Sequence, residues 1–119
     1  TSGPMMVPEE SYEISGHVSN IVFPSGALLD HDILTIYYGA TDTTTCSAKV
    51  HLDDLISSIY NGTKSRWRFK RARNNPIIVP DQSHKWESKA TFNPAAVDLG
   101  GKVHILYRAL SEDNTSSIG

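Results

Sequence analysis

Among the side chains able to do chemistry, the five histidines come first: His17, His31, His51, His84 and His104. None has a partner at the His-x-x-x-His type of spacing that sets two ligands on one face, so no metal site is expected. His31 stands between Asp30 and Asp32, a set able to chelate a cation, but three polar residues at a turn tip read as solvated. Ser25, in Pro24-Ser25-Gly26, lacks the Gly-x-Ser-x-Gly elbow that presents a nucleophilic serine. Cys46 is the single cysteine, which rules out an intrachain disulfide and a cysteine-rich zinc site. Between Lys64 and Arg73, the cations Lys64, Arg66, Arg68, Lys70, Arg71 and Arg73 are interleaved with Trp67 and Phe69. Such a surface suits phosphate or single-stranded nucleic acid. The formal net charge of -2 gives it no wider electrostatic support, and a solvated loop and strand edge is the reading adopted. Trp67 and Trp86 are able to stack on a sugar ring or to fill packing gaps.

The elements that must position these groups belong to a chain of 119 residues, enough for one compact domain with a modest core. A hydrophobic fraction of 39% and a charged fraction of 20% describe an ordinary globular protein. No apolar run approaches the roughly 18–20 residues of a membrane span. Thr1 to Met6 lacks the basic-then-apolar order of a signal peptide and reads as an expression remnant. Together with the lone cysteine, this implies a cytoplasmic protein with no membrane or nucleic-acid partner.

The most informative feature is internal. Phe23-Pro24-Ser25-Gly26-Ala27-Leu28 through Ile36-Tyr37-Tyr38-Gly39-Ala40 aligns without a gap on Phe92-Asn93-Pro94-Ala95-Ala96-Val97 through Ile105-Leu106-Tyr107-Arg108-Ala109, at a constant offset of 69. Ungapped agreement across a turn means that one supersecondary unit occurs twice. Each unit reads as strand, tight turn, strand, bend, strand. Gly100-Gly101 supplies the positive φ of a two-residue hairpin, whereas Asp30-His31-Asp32 fills that place with residues that tolerate it less well. Ile33 to Tyr38 and Lys102 to Tyr107 are rich in β-branched and aromatic residues. A third strand is predicted over Thr44 to Val50, with a counterpart starting near Ser116 and cut short at Gly119. Leu52, Leu55, Ile56 and Ile59 recur at helical spacing behind Asp53 and Asp54, which predicts one short helix. Ile77-Ile78-Val79, between turn signals, is predicted as a short strand. Repeated antiparallel units of this kind suit an all-β propeller, of which this chain would hold two blades. The predicted organisation is a tail over 1–15, a first blade with its helix over 16–62, and a second, truncated blade over 63–119.

Several of these segments resemble a known family. Asn20-Ile21-Val22-Phe23-Pro24-Ser25-Gly26-Ala27 and Ile36-Tyr37-Tyr38-Gly39-Ala40-Thr41-Asp42 are similar to the last blade of glycoside hydrolase family 130. Asn75-Pro76-Ile77-Ile78, Trp86-Glu87-Ser88, Phe92-Asn93-Pro94-Ala95-Ala96 and Leu106-Tyr107-Arg108-Ala109 resemble its first blade. The resemblance implies a five-bladed ring in which last and first blades are neighbours, so the inverted order suggests a permutant, a tandem junction or a fragment. It further implies phosphorolysis of β-1,4-mannosides, with an aspartic acid protonating the leaving oxygen and inorganic phosphate as co-substrate rather than a bound cofactor. Sequences matching that acid and its phosphate clamp are not found here. Three residues do match positions around the mannose: Asp42, Asn93 and Arg108, able to accept from, bridge or fork onto sugar hydroxyls.

A two-blade propeller fragment that binds a β-mannoside without phosphorolysis of its own is therefore the leading expectation, and whether the chain is an enzyme stays open. Two flat blade faces, with the row Val103, Ile105 and Tyr107 as an example, predict a homo-oligomer. One rival is a self-assembling ring that binds a small ligand at its centre. The other is metal-assisted hydrolysis of phosphate or carboxyl esters at an inter-subunit site.

Overall fold

The computed structural model describes residues 3–61 and 68–119. Lys64, Arg66 and Trp67 of the basic run lie outside the described residues. The chain opens with a single helical turn, α1 (Ser11–Ile14), followed by β1 (Val22–Asp30), β2 (Ile33–Ala40), β3 (Thr44–His51), α2 (Leu52–Asn61), β4 (Lys70–Arg71), β5 (Ala90–Leu99), β6 (Lys102–Leu110) and β7 (Ser116–Ile118). The class is all-β: an antiparallel sheet β1-β2-β3-β4 and a second antiparallel sheet β5-β6-β7. No described helix is long and apolar enough to cross a membrane.

The repeat is visible strand by strand. Leu34 and Val103 occupy the same place in β2 and β6, the second strands of the two sheets. Gly100 and Gly101, at φ 63° and 82°, make the tight turn of the second hairpin, and His31 takes φ 52° in the first. The two first strands also break register at equivalent points, between Pro24 and Gly26 in β1 and between Phe92 and Ala95 in β5. Such bulges kink a strand and re-aim its side chains.

Cross-strand pairing explains where the core sits. Leu34, Ile36 and Tyr38 face Val50, Ala48 and Cys46, so all six share one side of the first sheet. Buried Phe69 and the partly buried Met6, Tyr12 and Leu55 close over this side. The opposite side meets β5. Thr91 N–H donates to the Thr43 carbonyl at 2.9 Å, and Thr45 Oγ1 donates to the Thr91 carbonyl at 2.9 Å. The second sheet has a much smaller core of Ala90, Phe92 and Leu110.

Three local expectations are corrected. Ile77 to Val79 is not a strand, because Ile77 and Ile78 hydrogen-bond to the single residue Thr45 and leave one bridge. The strand that edges the first sheet is β4 instead, two residues paired with Ala48 and Lys49. Helix α2 forms as expected but turns Leu55 and Ser58 inward and leaves Ile59 65% exposed. The more exposed apolar row of the second sheet is also not the expected one. Val103 is 47% exposed but Ile105 and Tyr107 are half-buried, whereas Leu99 and Ile118, on the opposite face with Leu106, are 60% and 80% exposed.

Candidate functional site

The bulge in β5 shapes the site. Pro94 has no N–H to offer the ladder, and Asn93 before it adopts φ 52°, a left-handed conformation that asparagine tolerates better than most residues. Pro94 is buried and Asn93 exposed. The strands run antiparallel, so the start of β5 lies beside the end of β6, and Phe92 pairs with Arg108. The guanidinium carbon of Arg108 sits 5.1 Å from the centre of the Phe92 ring, and Nε donates to Ser116 Oγ at 3.0 Å. Asn93 and Arg108 thereby meet in an open groove of about 570 Å³, shared with Ala95, Leu106, Tyr107 and Ser116.

Asp42 stands apart from that groove. It lies in the β2–β3 turn, closed by the Thr43 N–H on the Ala40 carbonyl at 3.0 Å. Both Thr41 and Asp42 hold positive φ, 52° and 50°, which for a β-branched threonine is a strained conformation. Thr41 is buried and anchored through Oγ1, which donates to the Tyr12 and Ala40 carbonyls. The turn is fastened to β5 by the Thr91–Thr43 bond, two residues before Asn93. Asn93 and Arg108 are thus brought together, and Asp42 is placed on the adjoining turn. Sequence reasoning set all three late in or beyond strands. Asn93 is instead early in β5 and reaches the same end of the sheet because its strand runs the other way.

In the groove, an amide, a guanidinium fork and serine hydroxyls can hold vicinal hydroxyls, beside the apolar wall of Leu106 and Ile118. Arg108 meets no carboxylate among the described residues. The groove's described lining has no carboxyl or imidazole group. Tyr107 donates to Glu87 Oε2 at 2.6 Å, and burial together with that bond pushes its phenol up to about 12, so it stays protonated. The candidate nucleophiles are occupied as well. Ser25 Oγ donates to the Pro94 carbonyl, and burial pushes the Cys46 thiol up to about 12.

Two buried carboxylates escaped sequence reasoning. Glu13 is fully buried and accepts from Tyr38 at 2.8 Å, from both Nε and Nη2 of Arg71 at 2.7 Å, and from the amides of Glu9 and Glu10. Burial acts to raise its pKa, but these bonds, Arg71 first, outweigh it and hold the carboxyl below its ordinary range. In the second unit Glu87 accepts from Tyr107, the repeat equivalent of Tyr38, and meets His84 Nδ1 at 2.7 Å. The signal was an aromatic–glutamate pair ahead of each first strand, Tyr12-Glu13 and Trp86-Glu87.

The comparisons with known proteins converge. The family model described as beta-1,4-mannooligosaccharide phosphorylase, of glycoside hydrolase family 130, matches residues 1–61. That stretch carries β1 to β3 and Asp42, while Asn93 and Arg108 fall outside it. The chain is 44% identical over 43 residues to a beta-1,2-mannobiose phosphorylase from Thermoanaerobacter sp. (strain X514), covering 36% of this chain and 14% of that protein. It is 35% identical over 57 residues to a beta-1,4-mannooligosaccharide phosphorylase from Ruminococcus albus, covering 46% and 17% respectively. The chain thus spans 14% and 17% of the length of these curated relatives.

Proposed function

This chain belongs to glycoside hydrolase family 130, and from that membership we propose that it supplies part of a mannoside-binding site without performing phosphorolysis alone. In this reading the two sheets are adjacent blades of a propeller. Arg108 and Asn93 hold hydroxyls of one mannose unit, and Asp42 approaches from the neighbouring turn. The proton donor and the phosphate clamp are supplied from outside residues 1–119. The observation that carries the reading is the meeting of Asn93 and Arg108 in a groove whose described lining lacks an acid. Hydroxyl recognition needs only donors and acceptors, whereas departure of a glycosidic oxygen needs a proton.

The test is a titration of the chain with a β-1,4-mannobiose, followed residue by residue by amide NMR. Shifts centred on Asn93, Arg108 and Ser116 that disappear in Arg108→Ala support the subsite. Shifts elsewhere, or none, remove it.

A second reading, self-association, is favoured by the exposed apolar row of Val97, Leu99, Leu106 and Ile118 on the face of the second sheet turned away from the first. Another copy set against that face would bury it, as a neighbouring blade does in a ring.

A further inference from the structure

Ahead of β5, one turn carries three donors spaced three residues apart: Asp81, His84 and Glu87. The turn is closed by the His84 N–H on the Asp81 carbonyl and the Glu87 N–H on the His84 carbonyl, both at 3.1 Å. His84 Nδ1 lies 2.7 Å from Glu87 Oε1 and 3.6 Å from Asp81 Oδ2, and the three ligand atoms fall within 4.8 Å of one another. Zinc–ligand bonds of about 2.0–2.2 Å would set the donors of one tetrahedral ion roughly 3.3–3.6 Å apart, so small rotations seat a cation between these atoms.

The atoms that would not touch the ion are already held. Asp81 Oδ1 accepts from Ser83 N–H at 2.8 Å and Ser83 Oγ at 2.7 Å, which leaves Oδ2 toward His84. Glu87 Oε2 accepts from Tyr107, which leaves Oε1. The His84 ring stacks on Trp86, with centroids 6.2 Å apart and planes at 15°. Partners on the far side of each ligand are the support that metal sites require.

The repeat supplies an independent argument. In the first unit the buried Glu13 has, besides Tyr38, a full cation clamped on both its oxygens, Arg71 of the fourth strand β4. The second sheet has no fourth strand among the described residues, and no arginine or lysine among them reaches Glu87. The equivalent carboxylate meets an imidazole in that place. A buried carboxylate beside an imidazole and a second carboxylate is a set of donors with a place for a positive charge.

We propose that Asp81, His84 and Glu87 form a binding site for a divalent transition-metal cation of the zinc class. The fourth coordination position faces solvent, since Asp81 and His84 are exposed. The ion ties the turn to Tyr107, and through it to the wall of the groove. Binding replaces any proton on His84 Nδ1 and releases it to solvent.

The test is equilibrium dialysis of the full chain against zinc chloride alone, with metal analysis and tryptophan fluorescence as readouts. One saturable equivalent is expected. His84→Ala and Asp81→Asn, both at exposed positions, each lower the affinity at least about tenfold. His31→Ala, at an exposed histidine beside an aspartate elsewhere, leaves it unchanged. Tyr107→Phe, which touches only the far oxygen of Glu87, weakens binding by about tenfold as well. Zinc retention by the full chain no greater than by His84→Ala overturns the proposal. So does equal loss in His84→Ala and His31→Ala.

Discussion

Ser25 Oγ donates a 2.6 Å hydrogen bond to the carbonyl of Pro94, 69 residues away, and the two residues are the same position of the repeat. Each stands in the bulge of its first strand, so the two units meet bulge to bulge. Gly26 completes the contact. A Cβ there would lie 3.0 Å from the Pro94 oxygen, 3.1 Å from Ala96 N and 3.3 Å from Ala95 Cα.

Gly26→Val should therefore push β5 off β1. Its expected cost is that of overpacking a fitted contact, about 1–3 kcal/mol. Ser25→Ala loses one hydrogen bond and should cost about 0.5–1.5 kcal/mol. Urea unfolding of both variants checks the order, with Gly26→Val the more damaging.

The hairpins were legible because the repeat is ungapped and because Gly100-Gly101 can do little else. The glutamate clamps were not, since Glu13 precedes Tyr38 by 25 residues while Glu87 precedes Tyr107 by 20. That change in spacing breaks any fixed-offset comparison. β4 was hidden for another reason: Lys70-Arg71 is a charged pair with no strand pattern, recruited because β3 had an open edge. Asn93 and Arg108 came from family resemblance alone. No periodicity says that the start of one strand and the end of the next will share a groove; the antiparallel register does.

Glu13 predicts a pH dependence. Its folded pKa lies below the ordinary carboxyl value of 4.5, so it contributes stability in full above that value. The contribution is lost as pH falls through 4.5 toward the lower folded value. Glu13→Gln, which leaves Arg71 with Glu9 as its remaining carboxylate at 3.2 Å, should cost less than the about 3–5 kcal/mol of a wholly unpaired buried charge at neutral pH. Urea midpoints measured from pH 7 downward should fall more steeply in the unmodified chain than in the variant.

Arg108→Ala should weaken mannoside binding about 10- to 100-fold, from loss of charged hydrogen bonds worth about 1.5–3 kcal/mol. Stability should change by less than about 1 kcal/mol, because Arg108 is exposed and contributes only its contact over Phe92 and an exposed hydrogen bond to Ser116. Arg108→Lys should not restore binding, since a point charge cannot fork onto two hydroxyls. Calorimetric titration with a β-1,4-mannobiose separates the two variants from the unmodified chain.

Leu106→Glu should dissolve self-association. The side chain is 47% exposed on the open face of the second sheet, where a charge is tolerated by the monomer's fold, although it also alters the groove wall, and is disruptive between copies. Light scattering is expected to give a mass above 13.1 kDa for the unmodified chain and close to it for the variant.

The central claim is that these residues bind a mannoside without cleaving it. Incubation of the chain with a β-1,4-mannobiose and phosphate, assayed for mannose 1-phosphate, tests it most directly. A missing general acid removes a factor of about 10² to 10⁴ in rate, before the loss of phosphate positioning is counted. The account predicts no product above background. Sustained turnover that vanishes in Asp42→Ala would contradict it, by showing that copies of this chain assemble a complete catalytic site.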